Sequence, residues 1–171
     1  MNQRILVLLS AMLALIPLQT LVAADIGNRM PDCALISIND SLGYDLQQFR
    51  GKVVYVDFWS SWCPPCAKSF PFLNTLNHDL KDSGLQVIGI NLDEVTEEAK
   101  TFLAKYPANF TVTADVNAQC AKTFDVKAMP SSYLVDRNGI IRHVHLGYRE
   151  GEAKELRALV EQLLAEKSGP Q

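Results

Sequence analysis

The chain has 171 residues, with 16 Lys or Arg, 19 Asp or Glu and three His, for a net charge of −3. That balance carries no basic footprint for nucleic acid, and no repeat or low-complexity stretch interrupts the sequence. Beyond the N-terminal segment, the length suits one compact domain with a real core.

Residues 1–24 read as a secretory leader. Arg4 is the only charge before Asp25, the apolar run ILVLLSAMLALI follows, Pro17 breaks it, and Val22 and Ala24 are small residues suited to cleavage after Ala24. The run falls short of the roughly 20 apolar residues of a membrane span. No cysteine stands at the cleavage site, so a lipid anchor is not expected. Cleavage leaves a domain over 25–171 with 15 basic against 19 acidic side chains, exported to the periplasm.

Within that domain, CALISI and YDL flank NDSLG and predict a loose β-hairpin laid across the front of the fold. GKVVYVDFW is an apolar, β-branched run of the kind that forms a strand buried on both faces. From 64 to about 82 the apolar residues Phe72, Leu73, Leu76 and Leu80 recur at helical spacing, and SG stops the helix. LQVIGINL predicts a second buried strand, and EVTEEAKTFLAKY a helix that starts acidic and ends basic, matching its dipole. NFTVTAD predicts a short strand and NAQCAKTF a short helix. PSSYLVD and IIRHVHLG flank RNG, the best hairpin signal in the chain. A final amphipathic helix is expected over 152–167. Strands alternating with helices, then a closing hairpin and helix, point to a three-layer α/β domain with a mixed sheet.

Cys63 and Cys66 fall where the first buried strand meets its helix. Cys63 takes the cap position and Pro64 the first helical position, where a missing N–H costs nothing. The helix start carries partial positive charge and free N–H groups, so a Cys63 thiolate is stabilised below the free thiol pKa of about 8.5. That geometry predicts Cys63 as an exposed nucleophile and Cys66, one turn on, as the shielded resolving partner. A structural zinc site would need a second ligand pair of similar spacing, which the chain lacks, and a staple across three residues would stabilise little. Redox exchange is the better reading.

Asp57, in the middle of VVYVDFW, is costly to bury charged, so its pKa should rise. A buried acid near Cys66 could take and return the resolving thiol's proton; the alternative is a solvated Asp capping the turn. Cys33 and Cys120 complete an even cysteine count in an oxidising compartment, which favours a bridge between them, against two free buried thiols. His143 and His145 share one strand face and read as solvent-facing, and His78 sits near a helix C-terminus.

VDFWSSWCPPC resembles the thioredoxin active-site signature. Together with PDCAL, INLDE and MPSSYLVDRNG, it makes the chain similar to the exported TlpA/ResA-like branch over nearly all of 25–171. The resemblance implies a thioredoxin fold, a central mixed β-sheet flanked by helices, with an N-terminal β-hairpin and an inserted strand–helix unit near 91–113. It implies thiol–disulfide exchange in which Cys63 forms the mixed disulfide and Cys66 resolves it, with Asp57 as the acid that thioredoxins carry there and many of this branch replace by an amide. Trp62, Pro64, Pro65, Met129 and Pro130 become the substrate-contacting set, with Pro130 as the cis-proline facing the cysteines. No cofactor or metal is implied beyond the redox-active disulfide. The implied partners are disulfide-containing exported proteins and a membrane thiol donor of the DsbD type, with the chain acting as a monomer. Reductants serving cytochrome c maturation often follow the second cysteine with an acid three residues on; here that residue is Ser69.

Strong oxidants of this fold often place a histidine between the cysteines. Pro64 and Pro65 supply neither a cation nor an N–H donor, which favours a reductant or isomerase-like role over a disulfide donor; the reductant is the expected role, with the disulfide donor or isomerase as its alternative. A thiol peroxidase would want an arginine beside its cysteine, and a copper-delivery module a wider cysteine spacing with a histidine; SSWCPPCAKS offers neither.

Overall fold

The computed structural model describes residues 24–39 and 42–166, so the expected leader lies outside the described residues apart from Ala24. Among them, seven strands form one mixed sheet: β1 (Ala34–Ser37), β2 (Gly43–Asp45), β3 (Val53–Trp59), β4 (Leu85–Asn91), β5 (Thr111–Ala114), β6 (Ser131–Val135) and β7 (Ile141–Leu146). Their spatial order is β2-β1-β5-β4-β3-β6-β7. The centre, β3-β4-β5, is parallel, and every other pairing is antiparallel. Parallel neighbours need long crossovers, supplied by α1 (Pro64–Leu80) between β3 and β4 and by α2 (Thr96–Lys105) between β4 and β5. Two further helices, α3 (Gln119–Thr123) and α4 (Ala153–Ala165), complete the layers. This is a thioredoxin fold with an N-terminal hairpin and an inserted α2–β5 unit.

All seven residues of β3 are buried, which is why its sequence is almost unbroken apolar rather than alternating. Val53, Tyr55 and Trp59 pack with Phe70, Leu73 and Leu76 of α1, Ala99 and Phe102 of α2, and Val160 and Leu163 of α4. Val54, Val56 and Phe58 point the other way, to Cys120, Ala121 and Phe124 and to the N-terminal residues Met30, Cys33 and Leu35. The two-residue strand period thus sorts one run between two cores. Helix α1 gives way to a 3-10 turn at Lys81–Ser83 and stops at Gly84, whose φ of 99° suits glycine. Arg137, in the β6–β7 turn, donates to the carbonyls of Leu163, Leu164 and Glu166 and so closes the far end of α4.

Two expectations need correction. The N-terminal hairpin does not lie across the front of the domain: β1 pairs with β5 through Ile36–Ala114 and Ser37–Thr113, so the hairpin widens the sheet at its edge. Strand β7 is also less open than its polar residues suggest. His143 and His145 are half-buried, because Leu156 and Leu159 of α4 close over them together with Tyr55 and Ser132. His145 Nε2 lies 3.1 Å from Glu152 Oε2, and burial, with His145 adjacent, holds His143 below the usual imidazole pKa.

Candidate active site

Cys63 caps α1 in extended geometry (φ −100°, ψ 99°), and its sulfur accepts a hydrogen bond from the Cys66 N–H at 3.3 Å. Pro64 and Pro65 occupy the first two helical positions, where no N–H is needed for the ladder. A sulfur so placed faces the positive end of the helix dipole. Cys63 and Cys66 are joined as a disulfide with Cα atoms 5.3 Å apart. Cys63 is not the broadly exposed nucleophile expected: it is 4% exposed, against 0% for Cys66. What distinguishes it is access, because Cys63 lines two surface grooves and Cys66 lines neither.

Trp62, 65% exposed, stands between those grooves. One, of about 450 Å³, brings together Trp62, Cys63, Pro64, Pro65 and Met129, with Ala121 of α3 at its side. The other, of about 510 Å³, runs from Trp62 and Cys63 to Glu98, Phe102, Lys105 and Tyr106 along α2. Pro130 does not line either groove. It is buried behind Met129, the Met129–Pro130 bond is cis, and its carbonyl accepts from the Gly147 N–H at 2.7 Å.

Asp57 lies between Tyr55 and Trp59 on β3, so the strand period turns it toward the α1 side, where Cys63 and Cys66 also pack. It is 1% exposed. Ser132, its cross-strand neighbour on β6, donates its hydroxyl to Asp57 Oδ1 at 2.7 Å, while Oδ2 is buried without a hydrogen-bond partner. Burial pushes the carboxyl up to about 7, with the Ser132 hydrogen bond working in the opposite direction. A carboxyl of this kind exchanges a proton near neutral pH. Ser132 escaped the sequence reading; the signal was a hydroxyl within PSSYLVD that, in an antiparallel register, can fall opposite Asp57.

A second acid went unnoticed. Asp93, just past β4, is 2% exposed, and both its oxygens accept from the Ser61 N–H, at 3.1 and 3.0 Å. Asn91, fully buried, donates to Asp93 Oδ2 at 2.9 Å and accepts from the Asp93 N–H at 3.1 Å. Beneath the same loop Trp59 is fully buried against Phe70 and Phe102, with ring centroids 5.0 and 4.8 Å apart. Ser69 donates its hydroxyl to the Cys66 carbonyl at 3.0 Å, within the helix.

Cys33 and Cys120 are joined by a disulfide 87 residues in span, buried to 5% and 3% exposure. Asp115 accepts from the Gln119 and Ala121 N–H groups and so fixes the start of α3, which carries Cys120 to the N-terminal segment.

The chain matches the redoxin family over residues 25–163. It is 32% identical over 115 residues to the thiol-disulfide oxidoreductase ResA of Bacillus thuringiensis subsp. konkukian (strain 97-27), a match spanning 67% of this chain and 66% of that protein. Among solved structures, one from Chlorobium tepidum, assigned as thiol:disulfide interchange protein DsbE, superposes with a TM-score of 0.80 at 40% identity, covering 84% of this chain and all of the other. A solution structure from Bacteroides thetaiotaomicron, assigned as a protein disulfide isomerase, gives 0.76 at 28% identity, covering 84% and 92% of the two chains. The fold and the paired cysteines are those of a thioredoxin-like thiol–disulfide oxidoreductase. The chain belongs to the redoxin family and resembles its TlpA/ResA type.

Proposed function

We propose that the protein is an exported reductant that opens disulfides in extracytoplasmic proteins through a mixed disulfide at Cys63. In the dithiol form, the Cys63 thiolate attacks one sulfur of a substrate disulfide. A Cys63–substrate disulfide forms, and the other substrate sulfur leaves as a thiolate that takes a proton from water. Asp57, as carboxylate, then accepts the Cys66 proton. The Cys66 sulfur attacks Cys63, the second substrate thiol departs, and two electrons have passed from the pair to the substrate. Asp57 returns its proton to solvent or to the departing thiolate.

The observation that carries this reading is the contrast between two groups on one side of the sheet. Cys63 sulfur sits at a helix N-terminus with an N–H already aimed at it, and a buried carboxyl raised to about 7 stands on the same side. The first suits a leaving and attacking thiolate; the second suits a base for a shielded thiol. The grooves beside Cys63 suit extended segments of protein, with Met129 as an adaptable apolar contact. Export is supported by the N-terminal sequence and by the buried Cys33–Cys120 bridge, which belongs in an oxidising compartment. No helix among the described residues is long and apolar enough to cross a membrane. In such a compartment a reductant must be recharged, and a membrane thiol donor of the DsbD type fits that need.

The test is the equilibrium potential of the Cys63–Cys66 pair in the mature protein, titrated against glutathione or dithiothreitol buffers. A value near that of thioredoxin, about −270 mV, is expected. A value near about −120 mV, the oxidant end of the scale, would make the protein a disulfide donor.

A further inference from the structure

We infer that Asp93 is a positioning residue that holds the Cys63–Cys66 pair reducing. The inference rests on the reductant reading above and adds the group that sets its direction.

Four observations lead there. Asp93 is a buried carboxylate, 2% exposed, whose two oxygens accept from Ser61 N–H and Asn91 Nδ2. That is the acceptor-only pattern of an ionised acid. Among the described residues no Lys, Arg or His forms a salt bridge with it, so its charge is balanced by dipoles alone. Finally, the peptide group that binds it also faces the redox pair. The Ser61 N–H and the Ser60 carbonyl belong to one peptide unit. Asp93 holds the N–H end, while the carbonyl end accepts from the Cys63 N–H at 3.3 Å.

The electrostatic consequence has a definite sign. A carboxylate on the N–H of a peptide polarises it, making its carbonyl a stronger acceptor. That carbonyl then points its negative end at Cys63, whose own N–H is turned inward. Both the charge and the polarised carbonyl oppose a thiolate on Cys63. The start of α1 favours that thiolate; Asp93 is the counterweight. A less stable thiolate means a less stable reduced form, and a pair whose reduced form is destabilised gives up its electrons more readily. The same bonds tie down the Ser60–Ser61 peptide that precedes the cysteine, so Asp93 places the cysteine as well as tuning it.

The decisive variant is Asp93→Asn, which keeps an acceptor for Ser61 and removes the charge. Its thiolate, read by ultraviolet absorbance of the reduced protein against pH, should form at lower pH than in the wild type. Its equilibrium with glutathione should move about tenfold toward the dithiol, equivalent to about 30 mV for two electrons. Asn91→Ala is the control: it removes two hydrogen bonds to Asp93 and leaves the charge, so it should lower the melting temperature and leave the equilibrium constant within about twofold. If Asp93→Asn does not fold, Asp93→Ser also removes the charge and gives the same reading. An Asp93→Asn equilibrium within about twofold of the wild type overturns the inference, as does an Asn91→Ala shift of equal size. The wild-type potential separates the two readings: an oxidant wild type overturns the reductant reading whatever the variant does, while a reducing wild type with an unmoved variant overturns only the role of Asp93.

Discussion

The Cys33–Cys120 and Cys63–Cys66 disulfides have the same Cα–Cα distance, 5.3 Å, yet one spans 87 residues and the other three. Their surroundings differ more than their geometry. The long bridge is buried on the side of the sheet holding α3 and the N-terminal segment, among Met30, Leu35, Leu46 and Phe124. The short one sits at the start of α1, where a backbone N–H meets its outer sulfur and two grooves reach it. A bond is a staple when it closes a long loop and no thiolate can approach. It is a reagent when its loop is trivial, its sulfur is electrostatically prepared and substrate can lie beside it.

The sharpest break in that comparison is the removal of one sulfur from each. Cys63→Ser should reduce insulin-disulfide turnover to background, and Cys66→Ser should accumulate the mixed disulfide with substrate, visible on a non-reducing gel. Replacing Cys33 and Cys120 together by Ala should leave the potential of the other pair unchanged. It should cost about 4 to 5 kcal/mol of stability by the loop-entropy argument for a bridge of this span, measured by urea denaturation of the oxidised protein. A shift in potential as large as the stability loss would mean that the two bridges are not separable.

Asp57 tests the reagent side more finely. Its folded pKa, about 7, lies above the unfolded value of 3.8, so the folded state holds the proton more tightly. The resulting destabilisation is absent below pH 4, grows as pH rises from 4 to 7, and is complete above 7. At 1.36 kcal/mol per unit, this reaches about 4 kcal/mol. Asp57→Asn should therefore stabilise the oxidised protein at pH 8 by up to that amount and leave it unchanged at pH 4. It should also slow the resolving step about a hundredfold at pH 7, the low end of what a positioned base contributes. Stabilisation without slower resolution would leave Asp57 a buried acid with no part in the exchange.

These contrasts were unevenly legible in the sequence. The elements followed from periodicity: β3 from its unbroken apolar run, α1 from Pro64 and the spacing of Leu73, Leu76 and Leu80, and β6–β7 from Arg137-Asn138-Gly139. Cys63 at the cap and Asp57 in the core were readable because each is a local anomaly, a proline after a cysteine and a carboxylate among β-branched residues. What was not readable depends on register between distant strands. Ser132 reaches Asp57 only because β3 and β6 pair with those residues opposed. Asp93 reaches Ser61 across 32 residues. His143 and His145 are half-buried because α4, from the far end of the chain, closes over β7. The pairing of Cys33 with Cys120 rested on parity, which counts sulfurs but does not place them.

The smallest expected effect bears on substrate rather than chemistry. Met129 lines the groove beside Cys63, a groove that neither Cys33 nor Cys120 lines. If the groove holds substrate segments, Met129→Ala should raise KM for a reduced-protein assay on a disulfide-containing substrate about fivefold, about 1 kcal/mol of lost contact. The kcat and the potential of the pair should stay unchanged, because truncating the thioether removes apolar surface and leaves the backbone before Pro130 in place. The same substitution should have no effect on reduction of a small disulfide such as oxidised glutathione, too short to fill the groove. An equal loss with both substrates would mean that Met129 supports the cysteines rather than the substrate, and the grooves would then no longer distinguish the reactive bond from the structural one.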